Sequence, residues 1–393
     1  MTRRATDPAA DEHGSFLDDL IEHRTIVICC GSGGVGKTTT AATIALEGAR
    51  RGKRAVVVTI DPAKRLADAL GLGSLSNEPR QVDGVGPGEL WAVMLDTKAT
   101  FDEVVNRYAD SPSQRDRILS NRFYRNISGT LSGTQEYMAA EKLYDLHHGD
   151  LHHEGPSRRF DLVVVDTPPS RNALDFIDAP RKLTNFLDHK LYRLLTAPSR
   201  GLLRPVNVAA QAFVKTAAKV VGASVIDDAI TFFQAFDGME AGFRERADKV
   251  LRLLTDPGTA FVLVASPRPD AVAEARYFTG RLAQSDIAVE ALVVNRVHPR
   301  FATRSAGEVS ALARQLDGDP ELASMLDDLA GHLTVADREE QGLADLRAAI
   351  GTAPVVKVPL LHTDVHDLSG LDGLRAHLFS GHGTDAVRTR RRG

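Results

Sequence analysis

A glycine-rich run with one lysine and two threonines has the spacing of a phosphate-binding loop. Residues Gly31-Ser32-Gly33-Gly34-Val35-Gly36-Lys37-Thr38-Thr39 contain the pattern G-x-x-x-x-G-K-[ST] directly after an apolar run at Thr25–Cys30. The glycines allow successive backbone N–H groups to face one centre, and the N-terminus of a following helix adds positive potential there. Lys37 would reach the β- and γ-phosphates, Thr38 would ligate Mg²⁺, and Thr39 lies close to the α-phosphate. The alternative interpretation is a glycine-rich turn between strand and helix with a surface lysine.

Two aspartates come at the ends of later apolar runs. Asp61 follows the run Arg54–Ile60, and Asp166 closes the run Phe160–Asp166. Carboxylates at the carboxyl ends of parallel strands lie at the ligand crevice of such sheets. Asp166 is therefore predicted to hold Mg²⁺ directly or through water, and Asp61 to orient and deprotonate an attacking water. Either aspartate could instead only cap the helix that follows it.

The elements that must position these groups are visible as short, nearly continuous apolar runs. Most of these runs alternate with helix-like segments, a pattern typical of a parallel sheet covered on both faces. We therefore predict an α/β fold with a doubly wound, mostly parallel sheet of seven to eight strands. The predicted strands are Thr25–Cys30, Arg54–Ile60, Leu90–Leu95, Phe160–Asp166, Ala260–Ser266, Val289–Asn295 and Ala353–Val358.

Two of the connections between strands are too long for single crossovers. Because long structureless loops are uncommon in compact domains, segments 97–159 and 167–258 are predicted to be helical insertions that form one subdomain above the site. Helical patterns at Thr134–Leu146 and Val206–Val225 support this. We expect one domain over residues 1–393, with flexible tails at 1–14 and 381–393.

Composition excludes several other classes of protein. The sequence has 48 basic and 52 acidic residues and a net charge of -4, which argues against nucleic acid as the main partner. Its two cysteines, Cys29 and Cys30, are neighbours that point to opposite faces of a strand, so neither a disulfide framework nor a Cys-x-x-Cys zinc site is expected. No apolar run approaches the ~20 residues that span a bilayer, and the polar N-terminus lacks a signal core. We expect a cytoplasmic protein.

The motifs taken together, in their order along the chain, resemble one known family. The run 31–39, Asp61-Pro62-Ala63, Asp166-Thr167-Pro168-Pro169 and Val293-Val294-Asn295 resemble the ArsA-type or anion-transporting ATPases, which include arsenite pumps and ATPases that target tail-anchored proteins. The resemblance covers about Thr25 to Phe379. It implies a P-loop ATPase that uses ATP and Mg²⁺. It also implies a nucleotide-gated dimer that couples hydrolysis to conformational change and to handling of a client or a membrane-protein partner.

The same resemblance implies tasks for particular residues. Asp61 would position the water that attacks ATP, and Asp61 and Asp166 would lie in the two switch segments. Asn295 would read the adenine edge, and the adenine pocket would be completed near Val358-Pro359-Leu360.

The sequence departs from the family pattern at three points. Ser32 stands where the family has a second lysine that reaches the partner's nucleotide, and a neutral hydroxyl cannot supply that charge. Hydrolysis is then slow, or a nearby cation (Lys64, Arg65 or Arg171) substitutes, or a paralogous subunit in a heterodimer supplies the lysine. The family's metalloid-binding and zinc-binding cysteines have no counterpart, which argues against arsenite transport. Asn172 stands where the second switch commonly has histidine.

Three further features leave alternatives open. An apolar face in the second insertion is either the core of the subdomain or a client groove; it comprises Phe213, Val214, Val221, Ile226, Ile230, Phe232, Phe233 and Phe236. The pairs His147-His148 and His152-His153 are either a metal site or the solvated end of a helix. The leucines Leu368, Leu371, Leu374 and Leu378 either pack against the fold or lie on a membrane surface. As a whole, the chain could also be a weakly hydrolysing ATP-binding subunit, or a partitioning ATPase.

Overall fold

An eight-stranded sheet organises the fold. The computed structural model describes residues 17–61, 65–127, 134–149, 159–168, 170–188, 222–316 and 319–379. The strands are β1 (Ile26–Gly31), β2 (Arg54–Thr59), β3 (Arg80–Val82), β4 (Glu89–Met94), β5 (Leu162–Asp166), β6 (Thr259–Ala265), β7 (Ala291–Val297) and β8 (Val355–Pro359).

The order of the strands places β1 in the interior of the sheet. The order is β3-β4-β2-β5-β1-β6-β7-β8, and every neighbouring pair is parallel except the antiparallel pair of β3 and β4. All residues of β1, β5 and β6 are buried, as expected for strands covered on both faces. The predicted mostly parallel α/β sheet is confirmed, with the short edge strand β3 as an element that the sequence did not reveal.

Thirteen helices fall wholly within the described residues and connect the strands, and a further helical segment occupies 17–23. They are α1 (Lys37–Arg50), α2 (Arg65–Ala69), α3 (Thr97–Tyr108), α4 (Pro112–Ser120), α5 (Arg122–Ile127), α6 (Thr134–His148), α7 (Ser170–Asp188), α8 (Ala223–Ala235), α9 (Glu240–Leu254), α10 (Pro269–Gln284), α11 (Ala306–Ala313), α12 (Pro320–Ile350) and α13 (Leu368–Leu378).

Helices cover the two faces of the sheet and form separate hydrophobic cores there. Cys29 belongs to the core that includes α1 and α13, whereas Cys30 belongs to the core that includes α6, α10 and α12. The two adjacent thiols therefore point to opposite faces, as predicted from strand geometry. On α13, Leu371, Leu374 and Leu378 are buried against the first of these cores, which is the packing alternative for this helix.

A third hydrophobic core lies outside the sheet, and we call it the helical cluster. Its buried side chains come from helices α3 to α9, between β4 and β6. Phe232 and Phe236 are among them, so this part of the apolar face serves as core. Phe213, Val214 and Val221 lie outside the described residues, as do both predicted tails and most of the predicted helix 206–225.

Buried charges join three helices of this cluster. The Arg246 guanidinium on α9 donates from Nε to Glu141 Oε2 on α6 at 2.7 Å and also pairs with Asp145. Arg107 on α3 donates to both oxygens of Asp145, at 2.9 and 3.0 Å. The Arg246 guanidinium also lies over the Tyr144 ring, 3.6 Å from its centroid. These charges are paired and hydrogen-bonded, which is the condition for burying them.

Two other features noted in the sequence have defined surroundings. His147 is buried beside Arg159, and burial together with that guanidinium lowers the pKa of His147 to about 4. Of the predicted solvated helix end, only His148 is exposed, whereas His147 is buried; His152 and His153 lie outside the described residues, so the metal-site alternative is not tested. Across the described ranges, no helix combines the length and apolarity needed to cross a bilayer.

Candidate functional site

The glycine-rich loop runs from the end of β1 to the start of α1. Gly34 and Gly36 have φ values of 74° and 96°, which residues other than glycine rarely adopt. A Cβ at Gly31 would lie 2.0 Å from the Val264 carbonyl oxygen, and one at Gly36 would lie 2.2 Å from Asn295 Nδ2. Nothing lies within 4 Å of the Cβ position of Gly33. The loop is therefore fixed by its neighbours at both ends and has open space beside its middle.

The loop lysine is held by the loop itself. Lys37 Nζ donates to the Ser32 carbonyl oxygen at 2.8 Å, and the side chain is buried. Burial lowers the pKa of Lys37, while the charge of Asp166 raises it. Thr39 Oγ1 donates to the Gly36 carbonyl oxygen at 2.8 Å, which stabilises the first turn of α1. An ammonium bound to a neutral carbonyl is available to exchange that partner for a phosphate oxygen.

Asp166 lies at the end of β5, next to the loop threonine. Its Oδ2 accepts hydrogen bonds from Thr38 Oγ1 at 2.7 Å and from Thr59 Oγ1 at 3.0 Å. Its Oδ1 is buried and has no hydrogen-bond partner among the described residues. Burial raises the pKa of Asp166, although the two hydroxyls and Lys37 oppose that shift. A buried carboxylate oxygen without a partner beside a threonine hydroxyl fits a Mg²⁺ ion, which prefers oxygen ligands.

The raised pKa of Asp166 predicts a pH dependence of stability. A folded-state pKa above the ordinary value of 3.8 means that the folded protein binds the proton more tightly. This contribution to the free energy of unfolding is fully present below that value and is lost as pH rises through the folded-state pKa. In metal-free buffer with EDTA, the stability of the wild type relative to Asp166→Asn should fall as the pH rises above about 4, the ordinary pKa of an aspartate. Urea denaturation at a series of pH values measures it, and a flat or rising difference would contradict the assignment.

Asp61 follows β2 and lines a cavity together with Lys37 and Asp166. Its backbone N–H donates to Thr59 Oγ1 at 3.2 Å, and its side chain is half-buried. The adjacent Ile60 carbonyl oxygen accepts a hydrogen bond from Gln135 Nε2 of α6 at 3.0 Å. The segment that carries Asp61 is thereby bonded directly to a helix of the helical cluster. Pro62 and Ala63 lie outside the described residues.

Asn295 supports the loop from the neighbouring strand β7. Its Nδ2 donates to the Val35 carbonyl oxygen at 2.9 Å, and its Oδ1 accepts from the Arg296 backbone N–H at 2.9 Å. It lines the cavity together with Pro359 and Leu360, the predicted adenine end. Both groups of its amide retain hydrogen-bonding capacity for a base edge, because the amide has two donors and its oxygen two lone pairs.

These groups surround one large cavity. Its volume is about 900 Å³, sufficient for a nucleotide. Of the predicted site residues it brings together Gly33, Gly34, Gly36, Lys37, Thr38, Thr39, Asp61, Asp166, Asn295, Pro359 and Leu360. Gly31, Ser32 and Val35 do not line it, and the Val35 side chain packs in the core.

Several cavity residues were missed by sequence reasoning. Arg296 follows Asn295, has a φ of 63°, and donates from Nη1 to the Gly34 carbonyl oxygen at 3.1 Å. Asp68 on α2 and His366 before α13 also line the cavity. None of these three residues belongs to a sequence motif. Only Arg296 could have been predicted, because it is adjacent to Asn295.

Ser32 lines a second, smaller cavity of about 420 Å³, which shares Gly33, Gly34, Arg296 and Leu360 with the first. The residue is 4% exposed, and its hydroxyl has no hydrogen-bond partner within the described parts of the chain. Of the cations considered as substitutes for the family lysine, Arg65 lines the nucleotide-sized cavity. Lys64 and the side chains of Arg171 and Asn172 lie outside the described residues.

A glycine-rich loop between an interior parallel strand and a helix, with an aspartate bonded to the loop threonine, defines a P-loop nucleoside triphosphatase. The family model of the anion-transporting ATPases matches residues 24–317. The chain belongs to this ArsA-type ATPase family, as its motifs predicted.

Individual relatives are distant. An uncharacterised protein of Streptomyces coelicolor is 29% identical over 293 residues, which cover 74% of this chain and 67% of that protein. The ATPase GET3 of Kluyveromyces lactis is 24% identical over 282 residues, covering 70% of this chain and 72% of that protein. An ATPase ASNA1 homologue of Babesia bovis is 30% identical over 177 residues, 44% of each chain.

Proposed function

We propose that this chain is a Mg²⁺-dependent ATP hydrolase whose output is a conformational change. The observation that carries the proposal is the hydrogen bonding of Asp166. Its Oδ2 accepts from the loop threonine, whereas its buried Oδ1 has no hydrogen-bond partner among the described residues. Such an oxygen is costly in a protein that binds no cation there. Lys37 and Asp61 line the same cavity.

The residues divide the reaction between binding and proton transfer. Thr38 and Asp166 would hold Mg²⁺, which when bound neutralises charge on the β- and γ-phosphates. The loop N–H groups and Lys37 bind the phosphates, and Asp61 orients the water. The water oxygen forms a bond to the γ-phosphorus, and the bond to the β–γ bridging oxygen breaks. ADP leaves with that electron pair, and the water proton passes to the Asp61 carboxylate.

The conformational output depends on the two insertions, which we propose form one subdomain from segments 97–159 and 167–258 of a single domain. Gln135 of α6 bonds the Ile60 carbonyl next to Asp61, and α7 begins four residues after Asp166. Loss of the γ-phosphate would release the segments that carry Asp61 and Asp166. Other nucleotide switches undergo order–disorder transitions of this kind. The helices beyond them would then move.

The proposed partners follow from family membership. We propose a cytoplasmic dimer, of two copies or with a paralogous ATPase, that handles a client or a membrane-protein partner. A second candidate function is a weakly hydrolysing ATP-binding subunit that regulates a paralogue. Ser32 favours this second candidate, because its neutral, buried hydroxyl cannot provide the charge expected at that position.

Phosphate release by the purified chain tests the proposal. The wild type should release phosphate from ATP with Mg²⁺, and EDTA should abolish the release because Thr38 and Asp166 then lack their ion. A Thr38→Val variant, which removes the hydroxyl but keeps the shape, should lose most of the Mg²⁺-dependent rate. ATP binding without turnover, followed by turnover on addition of a paralogous chain, supports the second candidate. Absence of ATP binding contradicts both.

A further inference from the structure

Three lysine or arginine side chains line the nucleotide-sized cavity within the described residues: Lys37, Arg65 and Arg296. Lys37 donates to the Ser32 carbonyl oxygen, and Arg296 donates to the Gly34 carbonyl oxygen. Arg65 makes no ion pair or side-chain hydrogen bond with any described residue, even though Asp68 lies one turn later on the same helix. Of the three, Arg65 is the cation that no described residue binds through an ion pair or a side-chain hydrogen bond.

Arg65 lies in the part of the site that contains Asp61, the proposed base. It is the first residue of α2, four positions after Asp61 and on the same cavity wall. Its charge is felt at the loop lysine, where it contributes to lowering the pKa of Lys37. A guanidinium with five donors in a planar fork matches the geometry of phosphate oxygens.

We propose that Arg65 is a further catalytic residue, whose guanidinium bonds the γ-phosphate oxygens from within the same chain and supplies the charge that Ser32 lacks. This inference rests on the proposed function. The transition state of phosphoryl transfer spreads negative charge over the three equatorial oxygens of the γ-phosphoryl group. A cation that strengthens its contact there raises kcat more than it raises affinity for the nucleotide. Arg296 is less suited, because it already holds the loop through Gly34.

The test compares Arg65→Ala and Arg65→Lys with the wild type. A matched control is Arg314→Ala, which removes an exposed arginine outside the cavity. We expect Arg65→Ala to lower kcat about 10²-fold, the loss typical of one preorganised donor at a developing charge. Arg65→Lys should recover part of that loss, and the affinity for Mg²⁺-ADP should stay within about threefold of the wild type because ADP lacks the γ-phosphate. Arg314→Ala should turn over like the wild type.

The outcomes separate this inference from the proposed function. If the wild type releases no phosphate, the proposed function fails. If the wild type is active and Arg65→Ala has the same kcat, only the role of Arg65 fails. A loss of ADP affinity equal to the loss of kcat would also overturn it, since the arginine would then bind the α- or β-phosphate.

Mixing the two slowed variants tests whether Arg65 acts within its own chain. Equal amounts of Arg65→Ala and Asp61→Asn, allowed to exchange subunits, should be no faster than the average of the two separate variants, because every site then lacks one of the two groups. Recovery of phosphate release would mean that Arg65 acts on the partner's nucleotide and would overturn the assignment within one chain.

Discussion

Asp61→Asn is expected to lower the rate of phosphate release about 10³-fold while ATP still binds, because a general base contributes on the order of 10²–10⁴ to a rate. Asparagine keeps the size of the side chain but cannot accept the proton of the attacking water. The loop, Lys37, Thr38 and Asp166 remain in place to bind Mg²⁺-ATP. Single-turnover phosphate release measures the chemical step, and displacement of a fluorescent ATP analogue measures binding.

Asp68→Asn is the matched control for this prediction. Asp68 lies on the wall of the same cavity, on α2, so its replacement removes one negative charge from the same place without removing the proposed base. Its turnover should stay close to that of the wild type. An equal fall in both variants would show that cavity charge matters and that Asp61 has no special task, and wild-type turnover in Asp61→Asn would refute the role outright.

Arg246→Ala is expected to destabilise the protein by about 3–5 kcal/mol, the cost of leaving buried carboxylates without their partner. Arg246 is 5% exposed, and its partners Glu141 and Asp145 are 0% and 2% exposed. Burial already raises the pKa of Glu141, and the charge of Arg246 is the first of the influences that oppose this shift. Urea denaturation followed by circular dichroism measures the loss.

Two further variants separate this effect from a general sensitivity of α9. Lys249→Ala removes an exposed cation from the same helix, and it should leave the urea midpoint unchanged. The double variant Arg246→Met with Glu141→Leu should recover much of the loss, because Asp145 keeps its two hydrogen bonds from Arg107. A single variant as stable as the wild type would show that the network contributes nothing.

Strands buried on both faces could be predicted from the sequence because their apolar runs are continuous. Every predicted strand exists, although the bounds shift by up to two residues, as where β7 spans Ala291–Val297 and not Val289–Asn295. Strand β3 could not be found in this way. It has three residues, Arg80 and Gln81 are exposed and only Val82 is buried, so its pattern is too short to show a period of two.

The same distinction holds for the site. Lys37, Thr38 and Asp166 could be placed because a loop motif and a strand end fix their positions locally. Gln135 could not, because its partner Ile60 is 75 residues away in sequence and the contact exists only once α6 packs beside β2. Arg65 could be named as one of three nearby cations, but only the structure separates it from the rest.

Under the proposed function, the hydrogen bond from Gln135 to the Ile60 carbonyl would make ATP hydrolysis sensitive to a mechanical load on α6. Free-energy coupling between two sites is reciprocal, so whatever acts on α6 also acts on the segment that holds Asp61. A load that pulls α6 away from the sheet would loosen the segment that holds Asp61 and slow ATP hydrolysis. An unloaded α6 would allow hydrolysis to proceed. The rate of ATP hydrolysis would then depend on the load that these helices bear.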